Sequence, residues 1–358
     1  MPSLEEPHST AQTRRVRPSA SAAASESAWS SIAERGSALG LRFMVLCYRG
    51  VGRRLSGWLL YPIVAYFVAA HPVARRASLD YLRRLRDAHP EAVGVPRREP
   101  RWRDVMHHFH TFAELILDRF CFWAGRYDDF DVCVHGVECV TEHLDKGRGV
   151  VLLSAHLGSF DLLRVVARAD KVAVNAVVFT SNAELINATF KRLDPHCDVR
   201  VIEMDPSSIR SAFEIKRCID RGEIVALLGD RTGPLGGRRV ARVPFLGADA
   251  AFPQGPFMLP LLFGTPVVLS LALRSGPRTY DVHFETLADG ERIAAANRPA
   301  AARELATRFA QRLESHCARA PFQWFNFYDF WDTAEVRSEP HPRRSNGSAA
   351  SSPAASSQ

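Results

Sequence analysis

The segment G-V-V-L-L-S-A-H, residues 149–156, decides the fold class of this chain. It is a short, unbroken apolar run, which is typical of a strand buried on both faces of a parallel sheet. A histidine, His156, ends the run. Because catalytic groups of open α/β sheets gather beyond the carboxyl ends of the strands, His156 is the first candidate for a functional residue.

Strand and helix patterns alternate downstream of this segment. The alternation predicts an α/β fold with a largely parallel central sheet flanked by helices. A late pair of strands predicts an antiparallel edge to that sheet. The predicted strands are residues 149–156, 172–179, 199–204, 223–229, 266–274 and 279–287, and the predicted helices begin near residue 159 and cover 183–193, 207–221 and 300–318.

An amphipathic helix is predicted upstream, over residues 101–124, from apolar side chains at helical spacing. Its three histidines, at positions 107, 108 and 110, suggest a metal site, but no partner ligand at helical spacing supports one. Seven scattered cysteines without a C-x-x-C pair also argue against zinc and are typical of reduced thiols. We therefore expect structural or surface roles for the histidines, no metal and no cofactor.

The most apolar region lies between Leu39 and Ala70. Its longest uncharged run with bulky residues, Trp58–Ala70, has 13 residues, whereas a membrane-spanning helix needs about 20. Arginines flank the run on both sides. This combination is typical of an interfacial anchor on an anionic membrane leaflet. A buried helical hairpin and a true span are the alternatives.

The composition divides the chain into four parts. Residues 1–27 and 337–358 are rich in Ser, Ala, Pro and Arg and poor in large apolar residues, which predicts a disordered arm and a disordered tail. Between them we predict an apolar and basic helical region that associates with a membrane, residues 28–100, and an α/β domain, residues 101–336. The first residues lack the basic start and apolar run of a signal peptide.

The charge of the chain indicates an anionic partner. The 358 residues carry a formal net charge of +7, and only four of the 46 basic side chains are lysines. The planar fork of arginine donates two parallel hydrogen bonds to a phosphate or carboxylate. An anionic membrane, an acidic carrier protein and nucleic acid all fit such a surface. We discount nucleic acid because the arginines are dispersed and no nucleic-acid motif is present.

The first candidate site is the motif H-L-G-S-F-D, which runs from His156 to Asp161. Ser159 is a plausible N-cap for the next helix, which places Asp161 in its first turn. There the carboxylate could bond one imidazole nitrogen and hold the other toward a substrate hydroxyl. Such a pair is a general base with an orienting carboxylate. The alternative is a histidine satisfied by a helix-capping network.

The second candidate site is L-L-G-D-R-T-G, residues 227–233, at the end of another predicted strand. Asp230 and Arg231 lie where a carboxylate and a guanidinium could face the same cleft, and we expect both to bind substrate. The loop V-P-F-L-G-A-D-A-A-F-P-Q-G-P, residues 243–256, follows, and we expect its Phe245 and Phe252 to be exposed and to line an acyl-chain groove. A loop packed on the core is the alternative.

Other catalytic motifs are absent from the sequence. There is no G-x-S-x-G elbow, no G-x-x-x-x-G-K-[ST] phosphate loop and no G-x-G-x-x-G after a strand. The serine hydrolase, P-loop and dinucleotide-binding interpretations therefore lose their main signals.

Taken together, these segments resemble the bacterial lipid A biosynthesis acyltransferases of the lysophospholipid acyltransferase superfamily. The resemblance runs from about Trp29 to Trp331 and rests on the order and spacing of four segments. These are S-A-H-L-G-S-F-D (154–161), G-D-R-T-G (229–233), V-P-F-L-G-A-D-A-A-F-P (243–253) and P-V-V (266–268). The apolar N-terminal region and the closing W-F-N-F-Y-D-F-W (324–331) fit the same family.

The resemblance implies an enzyme at the cytoplasmic face of the inner membrane. It implies transfer of a fatty acyl chain from a carrier-protein or coenzyme A thioester to a hydroxyl of a lipid or glycolipid, without a covalent acyl-enzyme. By the same likeness His156 is the general base and Asp161 its partner. The likeness also places Asp230 and Arg231 near a substrate head group, and Asn182 and Arg192 in the region that handles the polar substrate.

Two departures from the best-known members bear on the acceptor. Those enzymes carry H-x4-E and a D-Q-D turn, whereas this chain has H-x4-D and G-D-R. The difference implies a sister branch that acylates other lipids, pigments or glycolipids. Two further functions are compatible with the sequence. One is a lipid or thioester hydrolase that uses the same His–Asp pair, and the other is a peripheral membrane protein that binds lipid without turnover.

Overall fold

The computed structural model describes residues 57–123, 126–162, 172–178, 199–204, 209–231 and 239–331. The predicted arm and tail and the helix near 183–193 lie outside these ranges. Within them the helices are α1 (Gly57–Ala70), α2 (Pro72–Ala88), α3 (Trp102–Trp123), α4 (Glu138–Leu144), α5 (Ile209–Asp220), α6 (Gly255–Phe263) and α7 (Arg298–Arg319). The strands are β1 (Asp131–His135), β2 (Val150–Ser154), β3 (Val174–Val178), β4 (Val199–Glu203), β5 (Ile224–Leu228), β6 (Val240–Phe245), β7 (Ala248–Pro253), β8 (Val267–Arg274) and β9 (Thr279–Ala288).

Seven of the strands form one mixed sheet in the order β1-β9-β8-β2-β5-β3-β4. The neighbours from β8 to β4 are parallel, so their carboxyl ends lie along one edge of the sheet. The α/β fold with a largely parallel sheet is therefore confirmed. The antiparallel pair of β8 and β9 is also present, but it does not form the edge, because β1 pairs in parallel with β9 on its outer side.

Strand β2 is apolar throughout because both of its faces are covered. Val151 and Leu153 pack into one hydrophobic cluster, and Val150 and Leu152 pack into a second cluster on the other face. All five residues of the strand are buried. Successive side chains of a strand point to opposite faces, so a continuous apolar run is what a covered central strand requires.

Helices cover the two faces of the sheet. α3 and α4 contribute to the cluster around Val150, whereas α2, α5, α6 and α7 contribute to the cluster around Val151. The inward face of α7 includes Leu305, Phe309 and Leu313, spaced four residues apart. Burying a side chain of this size stabilises the fold by about 1.5 to 3 kcal/mol. The Phe309 ring approaches the end of β5 closely, because a Cβ on Gly229 would lie only 3.0 Å from it.

The segment expected to be an exposed loop, residues 243–256, is largely a β-hairpin. β6 and β7 pair antiparallel, with Phe245 opposite Ala248. Leu246 and Gly247 form the turn, both with positive φ (49° and 76°), as the tight hairpin turn with two left-handed residues requires. The alternating burial along β6 shows that one face of the hairpin packs on the core.

The N-terminal helices pack on the same body. Leu60, Val64 and Val68 of α1 are buried at a spacing of four residues, and α2 buries Tyr81 and Leu82 in the larger core cluster. Among the described residues, no single helix is long and apolar enough to cross a membrane. One consecutive pair, α1 and α2, passes that test jointly but is bent by 97° between them.

Gly158 gives a test of the loop that follows β2. It has φ of +72°, and a Cβ there would lie 2.0 Å from the carbonyl oxygen of Ala272. Gly247 has a similar φ of +76° but open space around it. We expect Gly247→Ala to cost only the left-handed penalty of about 1 to 2 kcal/mol, and Gly158→Ala to cost clearly more. Urea unfolding of both variants measures the difference, and equal losses would show that the close approach at Ala272 is unimportant.

Candidate active site

His156 and Asp230 are brought together by strand register. β2 and β5 are parallel neighbours, and Ser154 pairs with Leu228. His156 and Asp230 each follow two residues beyond that pair, so they leave the same edge of the sheet side by side. Gly229 N–H donates to the carbonyl oxygen of Ser154 at 2.8 Å, which continues the pairing to the loops.

The Asp230 carboxylate accepts four hydrogen bonds although it has no exposed surface. Oδ1 accepts from Nδ1 of His156 at 2.8 Å. Oδ2 accepts from the backbone N–H of His156 at 2.9 Å, from Nε1 of Trp324 at 3.1 Å and from Nδ2 of Asn326 at 2.9 Å. A buried charge is tolerated only when it is paired and hydrogen-bonded, and this carboxylate has both kinds of partner.

These contacts keep Asp230 ionised. Burial opposes ionisation, but the charge and hydrogen bonds of His156 and the charge of Arg231 outweigh it and hold the pKa of Asp230 at about 2. An ionised carboxylate only accepts hydrogen bonds, so Nδ1 of His156 carries the hydrogen between the two groups. The lone pair of the neutral imidazole is therefore on Nε2.

His156 is placed to accept a proton at Nε2. Its side chain is 18% exposed, and Nε2 has no hydrogen-bond partner among the described residues. Burial lowers the pKa of His156 below its ordinary value. Asp230 opposes that shift, and the charges of Arg231 and Arg119 add to it. The ring is thus neutral at pH 7, which is the form that a general base needs.

A short segment near the end of the described chain, residues 324–326, contacts both His156 and Asp230. Trp324 and Asn326 donate to Asp230, and Phe325 N–H donates to the carbonyl oxygen of His156 at 2.8 Å. Arg231 donates from Nε to Oδ1 of Asn326 and from a terminal nitrogen to the carbonyl oxygen of Phe325, both at 2.7 Å. Asn326 therefore links the carboxylate to the guanidinium.

Trp324 and Asn326 were not among the predicted site residues. A usable signal was present, because Asn326 is a polar residue inside the aromatic run W-F-N-F. A polar side chain in such a run is buried with its aromatic neighbours and needs hydrogen-bond partners. The sequence does not show that Asp230 and Arg231 are those partners.

The structure gives Asp230, one of the two acidic residues predicted at the site, contacts that were not expected. Asp230 was expected to face substrate, but its carboxylate is buried and occupied by protein donors. The carboxylate bonded to His156 is that of Asp230, in the position for which Asp161 was expected. Asp161 lies in the 3₁₀ turn Phe160–Leu162, and its side chain is outside what the structure describes. Its contact with His156 remains a prediction.

The expected exposure of Phe245 and Phe252 is wrong. Both rings are fully buried, because the hairpin turns them into the core. Phe245 packs against Trp324 at 5.3 Å between centroids, and Phe252 packs against Phe309 at 6.1 Å. Both rings belong to the core cluster that lies behind the site. Asn182 and Arg192 lie outside the described residues.

Helix α3 supplies the side of the site that faces the H-L-G-S-F-D loop. The Arg119 guanidinium lies 4.5 Å from the centroid of the Phe160 ring. One and a half turns earlier, Glu114 accepts a hydrogen bond from Arg274 at the end of β8 at 2.7 Å. Burial opposes ionisation of Glu114, but its hydrogen bonds to His110 and Arg274 prevail and lower its pKa to about 2.

The three histidines of α3 have separate protein contacts. His107 stacks on Phe322, the ring of His110 contacts that of Tyr61 in a tilted arrangement, and His108 is buried between Ser78 and the backbone of residue 324. Within the described ranges, no group of three or more His, Cys, Asp or Glu side chains is placed to hold a metal ion.

Comparison with known proteins gives the family. The sequence model of the bacterial lipid A biosynthesis acyltransferase family matches residues 105–333, which is more than half of the chain. The chain belongs to this family. The match includes His156, Asp230 and the segment 324–326, and it assigns the protein to the acyltransferases. The resemblance seen in the sequence is thereby confirmed. A comparison with curated proteins found no match.

Asp230→Asn tests the buried carboxylate of this acyltransferase. An asparagine amide has one acceptor oxygen and one NH2 group, which only donates. In one orientation the NH2 group would face the Nδ1 hydrogen of His156, and in the other it would face the three donors that Oδ2 accepts from in the wild type. Each unmet buried donor costs about 1 to 3 kcal/mol. We expect a lower free energy of unfolding at pH 7, measured by urea denaturation. Asp220→Asn, an exposed change on α5, is the matched control.

The loss of unfolding free energy in Asp230→Asn should depend on pH. Because the folded pKa of Asp230 is about 2 and its ordinary value is 3.8, the ionised form stabilises the native state above pH 4. That stability is lost as the pH falls toward 2, by roughly 2 kcal/mol in total. The difference in unfolding free energy between wild type and Asp230→Asn should therefore shrink over this interval. A constant difference would contradict the assignment of an ionised, donor-saturated Asp230.

Proposed function

We propose that the protein is an O-acyltransferase that moves a fatty acyl chain from a carrier-protein or coenzyme A thioester to a hydroxyl of a lipid or glycolipid. The observation that carries the proposal is the pairing of His156 with Asp230 at 2.8 Å, which leaves Nε2 of a neutral imidazole without a described partner. Family membership supports acyl transfer as the reaction class. The site needs no protein nucleophile, so we propose direct transfer without an acyl-enzyme.

The proposed reaction begins with proton transfer. Nε2 of His156 takes the proton of the acceptor hydroxyl as that oxygen attacks the thioester carbonyl. A new C–O bond forms, and the carbonyl electrons move to oxygen to give a tetrahedral oxyanion. Asp230 stabilises the imidazolium through Nδ1 and fixes the ring orientation. When the oxyanion collapses the C–S bond breaks, and the imidazolium returns the proton to the leaving thiolate.

The oxyanion requires a donor, and the geometry favours Arg231. The backbone N–H groups of Gly158 and Ser159 already donate to the carbonyl oxygens of Gln323 and Ala272, at 2.9 and 2.8 Å. Arg231 is exposed, and its guanidinium is held by Asn326 and the backbone of Phe325. A guanidinium has five N–H donors, so donors remain for a substrate oxygen. A fixed cation of this kind stabilises developing negative charge.

Helix α1 supports a position of the enzyme at the membrane surface. Only its stripe of Leu60, Val64 and Val68 is buried. The other side is also apolar and carries no charged residue, with Trp58 at 74% and Tyr66 at 67% exposure. Such a face, rich in Trp and Tyr, is typical of a helix lying in the membrane interface. We propose peripheral association with the cytoplasmic face of the inner membrane through α1.

Exposed arginines lie at the starts of two helices that share a hydrophobic cluster with α1. Val64 and Val68 of α1 share a hydrophobic cluster with Ala74 at the start of α2 and Val105 in the first turns of α3. The exposed arginines of those two helix starts are Arg76, Arg101 and Arg103. Anionic lipid head groups attract juxtamembrane arginines by about 1 kcal/mol each. These arginines would therefore add to the attraction between this part of the protein and an anionic membrane.

The catalytic prediction is tested with His156→Ala. Purified protein is incubated with acyl-carrier-protein or acyl-coenzyme A thioesters and an extract of bacterial membrane lipids, and mass spectrometry follows new acylated lipid. We expect transfer to fall by about 10² to 10⁴-fold, the usual contribution of a general base. His135→Ala, which removes an exposed histidine on β1, should keep wild-type activity.

Each other outcome of that experiment counts against the proposal. Free fatty acid as the main product, lost in His156→Ala, would indicate a hydrolase. Equal transfer by wild type and His156→Ala would contradict the role of His156. Binding of lipid without turnover by the wild type would favour a non-catalytic lipid-binding protein.

The membrane prediction is tested with Trp58→Glu and Tyr66→Glu in a flotation assay. Vesicles of phosphatidylethanolamine and phosphatidylglycerol should bind the wild type, and each variant should bind several-fold less because a carboxylate cannot enter the interface. The control is Phe213→Glu, the same kind of change at a 65% exposed aromatic residue of α5. Equal flotation of Trp58→Glu and wild type would exclude α1 as the anchor.

A further inference from the structure

The carbonyl group of Trp324 needs a partner that the adjoining loop does not provide. Trp324 forms an antiparallel bridge with Leu157. The hydrogen bonds of the bridge flank the pair, since Gly158 N–H donates to the carbonyl oxygen of Gln323 and Phe325 N–H donates to that of His156. The carbonyl oxygen of Trp324 itself is left outside the bridge, in a residue that is fully buried. An unpaired buried carbonyl is costly.

His108 of α3 is the hydrogen-bond partner of this carbonyl group. Its Nε2 lies 2.9 Å from the carbonyl oxygen of Trp324, and its Nδ1 lies 2.9 Å from the hydroxyl oxygen of Ser78 on α2. Burial lowers the pKa of His108 to about 3, so the ring is neutral. A carbonyl only accepts, so Nε2 carries the hydrogen and Nδ1 accepts from the Ser78 hydroxyl. Ser78 thereby fixes the tautomer that Trp324 requires.

We propose that His108 is a positioning residue for the His156–Asp230 pair and acts through residues 324–326. The chain of contacts is continuous. His108 holds the backbone of Trp324, and the side chains of Trp324 and Asn326 donate to Asp230, which bonds the ring of His156. The expected effect of His108 on catalysis rests on the proposed acyl transfer. Its expected effect on the pKa of His156 does not.

The proposal has a measurable electrostatic consequence. When the 324–326 segment loses its anchor, the neutral donors of Trp324 and Asn326 move away from Asp230. The carboxylate charge is then less stabilised by these donors and acts more strongly on the His156 imidazolium. The other charges that face His156, those of Arg231 and Arg119, are not removed. The pKa of His156 should therefore rise.

Two substitutions of similar size separate the two nitrogens of His108. The amide nitrogen of glutamine can reach the position of Nε2, so His108→Gln keeps a donor for the carbonyl oxygen of Trp324. Asparagine is shorter and places its amide near Nδ1, so His108→Asn loses that donor. The imidazole of His156 is followed by NMR titration of protein with isotope-labelled histidine, and its signal is identified as the one absent in His156→Ala.

We expect His108→Asn to raise the pKa of His156 by roughly 0.5 to 1 unit and His108→Gln to leave it near the wild-type value. The midpoint of the acidic limb of the kcat profile should move in the same direction for His108→Asn. General destabilisation would reduce the amount of active enzyme without moving either midpoint. An unchanged pKa in folded His108→Asn, or equal shifts in both variants, would overturn the proposal.

Two further variants allow for a failure of His108→Asn to fold and test a donor of Asp230 directly. If His108→Asn does not fold, His108→Leu fills the same space without a donor and should give the same upward shift. Trp324→Phe removes one donor of Asp230 directly and should also raise the pKa of His156. A shift in Trp324→Phe without one in either His108 variant would overturn the link to His108. Absence of acyl transfer by the wild type would refute the proposed function, while the NMR titration would still test the positioning role.

Discussion

The site depends on one buried carboxylate. Asp230 has no exposed surface and accepts four hydrogen bonds from three separate residues. Removing an ion from water costs several kcal/mol unless its hydrogen bonds are replaced. The loops after β2 and β5 and the segment 324–326 must therefore meet at one point, since each supplies part of that replacement. The positions of these three segments at the site are therefore coupled through one buried charge.

The groups that satisfy Asp230 are distant in sequence. His156 precedes it by 74 residues, and Trp324 and Asn326 follow it by 94 and 96. Register between neighbouring strands aligns the first contact, whereas packing of aromatic rings aligns the others. Trp324 lies 4.9 Å from Tyr81 of α2 and 5.3 Å from Phe245 of the hairpin. The hairpin and α2 therefore belong to the support of the site, although neither carries a reacting group.

Local signals in the sequence predicted the strands that are buried on both faces. β2, β5 and β8 lie within the predicted segments because continuous apolar runs are a property of the segment itself. β1 gave no such signal, since most of its residues are exposed. The strands β6 and β7 contain Pro244 and Pro253, and proline is typical of turns, so this hairpin was taken for a loop.

The sequence named His156 and Asp230 as candidate residues but did not predict the contact between them. His156 and Asp230 were both found because each ends an apolar run. Their contact requires that β2 lie beside β5, and strand order is not encoded in any one segment. The nearest carboxylate in sequence, that of Asp161, was therefore expected to bond His156, a contact that the structure shows for Asp230. The burial of Phe245 was missed for a similar reason, because it depends on rings that arrive from the distant segment 324–331.

The groups that orient His156 do not distinguish an alcohol from water. Asp230 and the segment 324–326 determine the tautomer and direction of His156, and Nε2 would deprotonate either nucleophile. Selection of transfer over hydrolysis must therefore come from occupancy of the space in front of Nε2. An acceptor held in place gains an effective concentration that can exceed that of water, because effective molarities of oriented groups reach about 10⁵ M or more. The proposed membrane association of α1 would contribute to this selection. In that proposal, an enzyme held at the interface would meet lipid acceptors at the concentration of the membrane, and the bound lipid would exclude water from the imidazole.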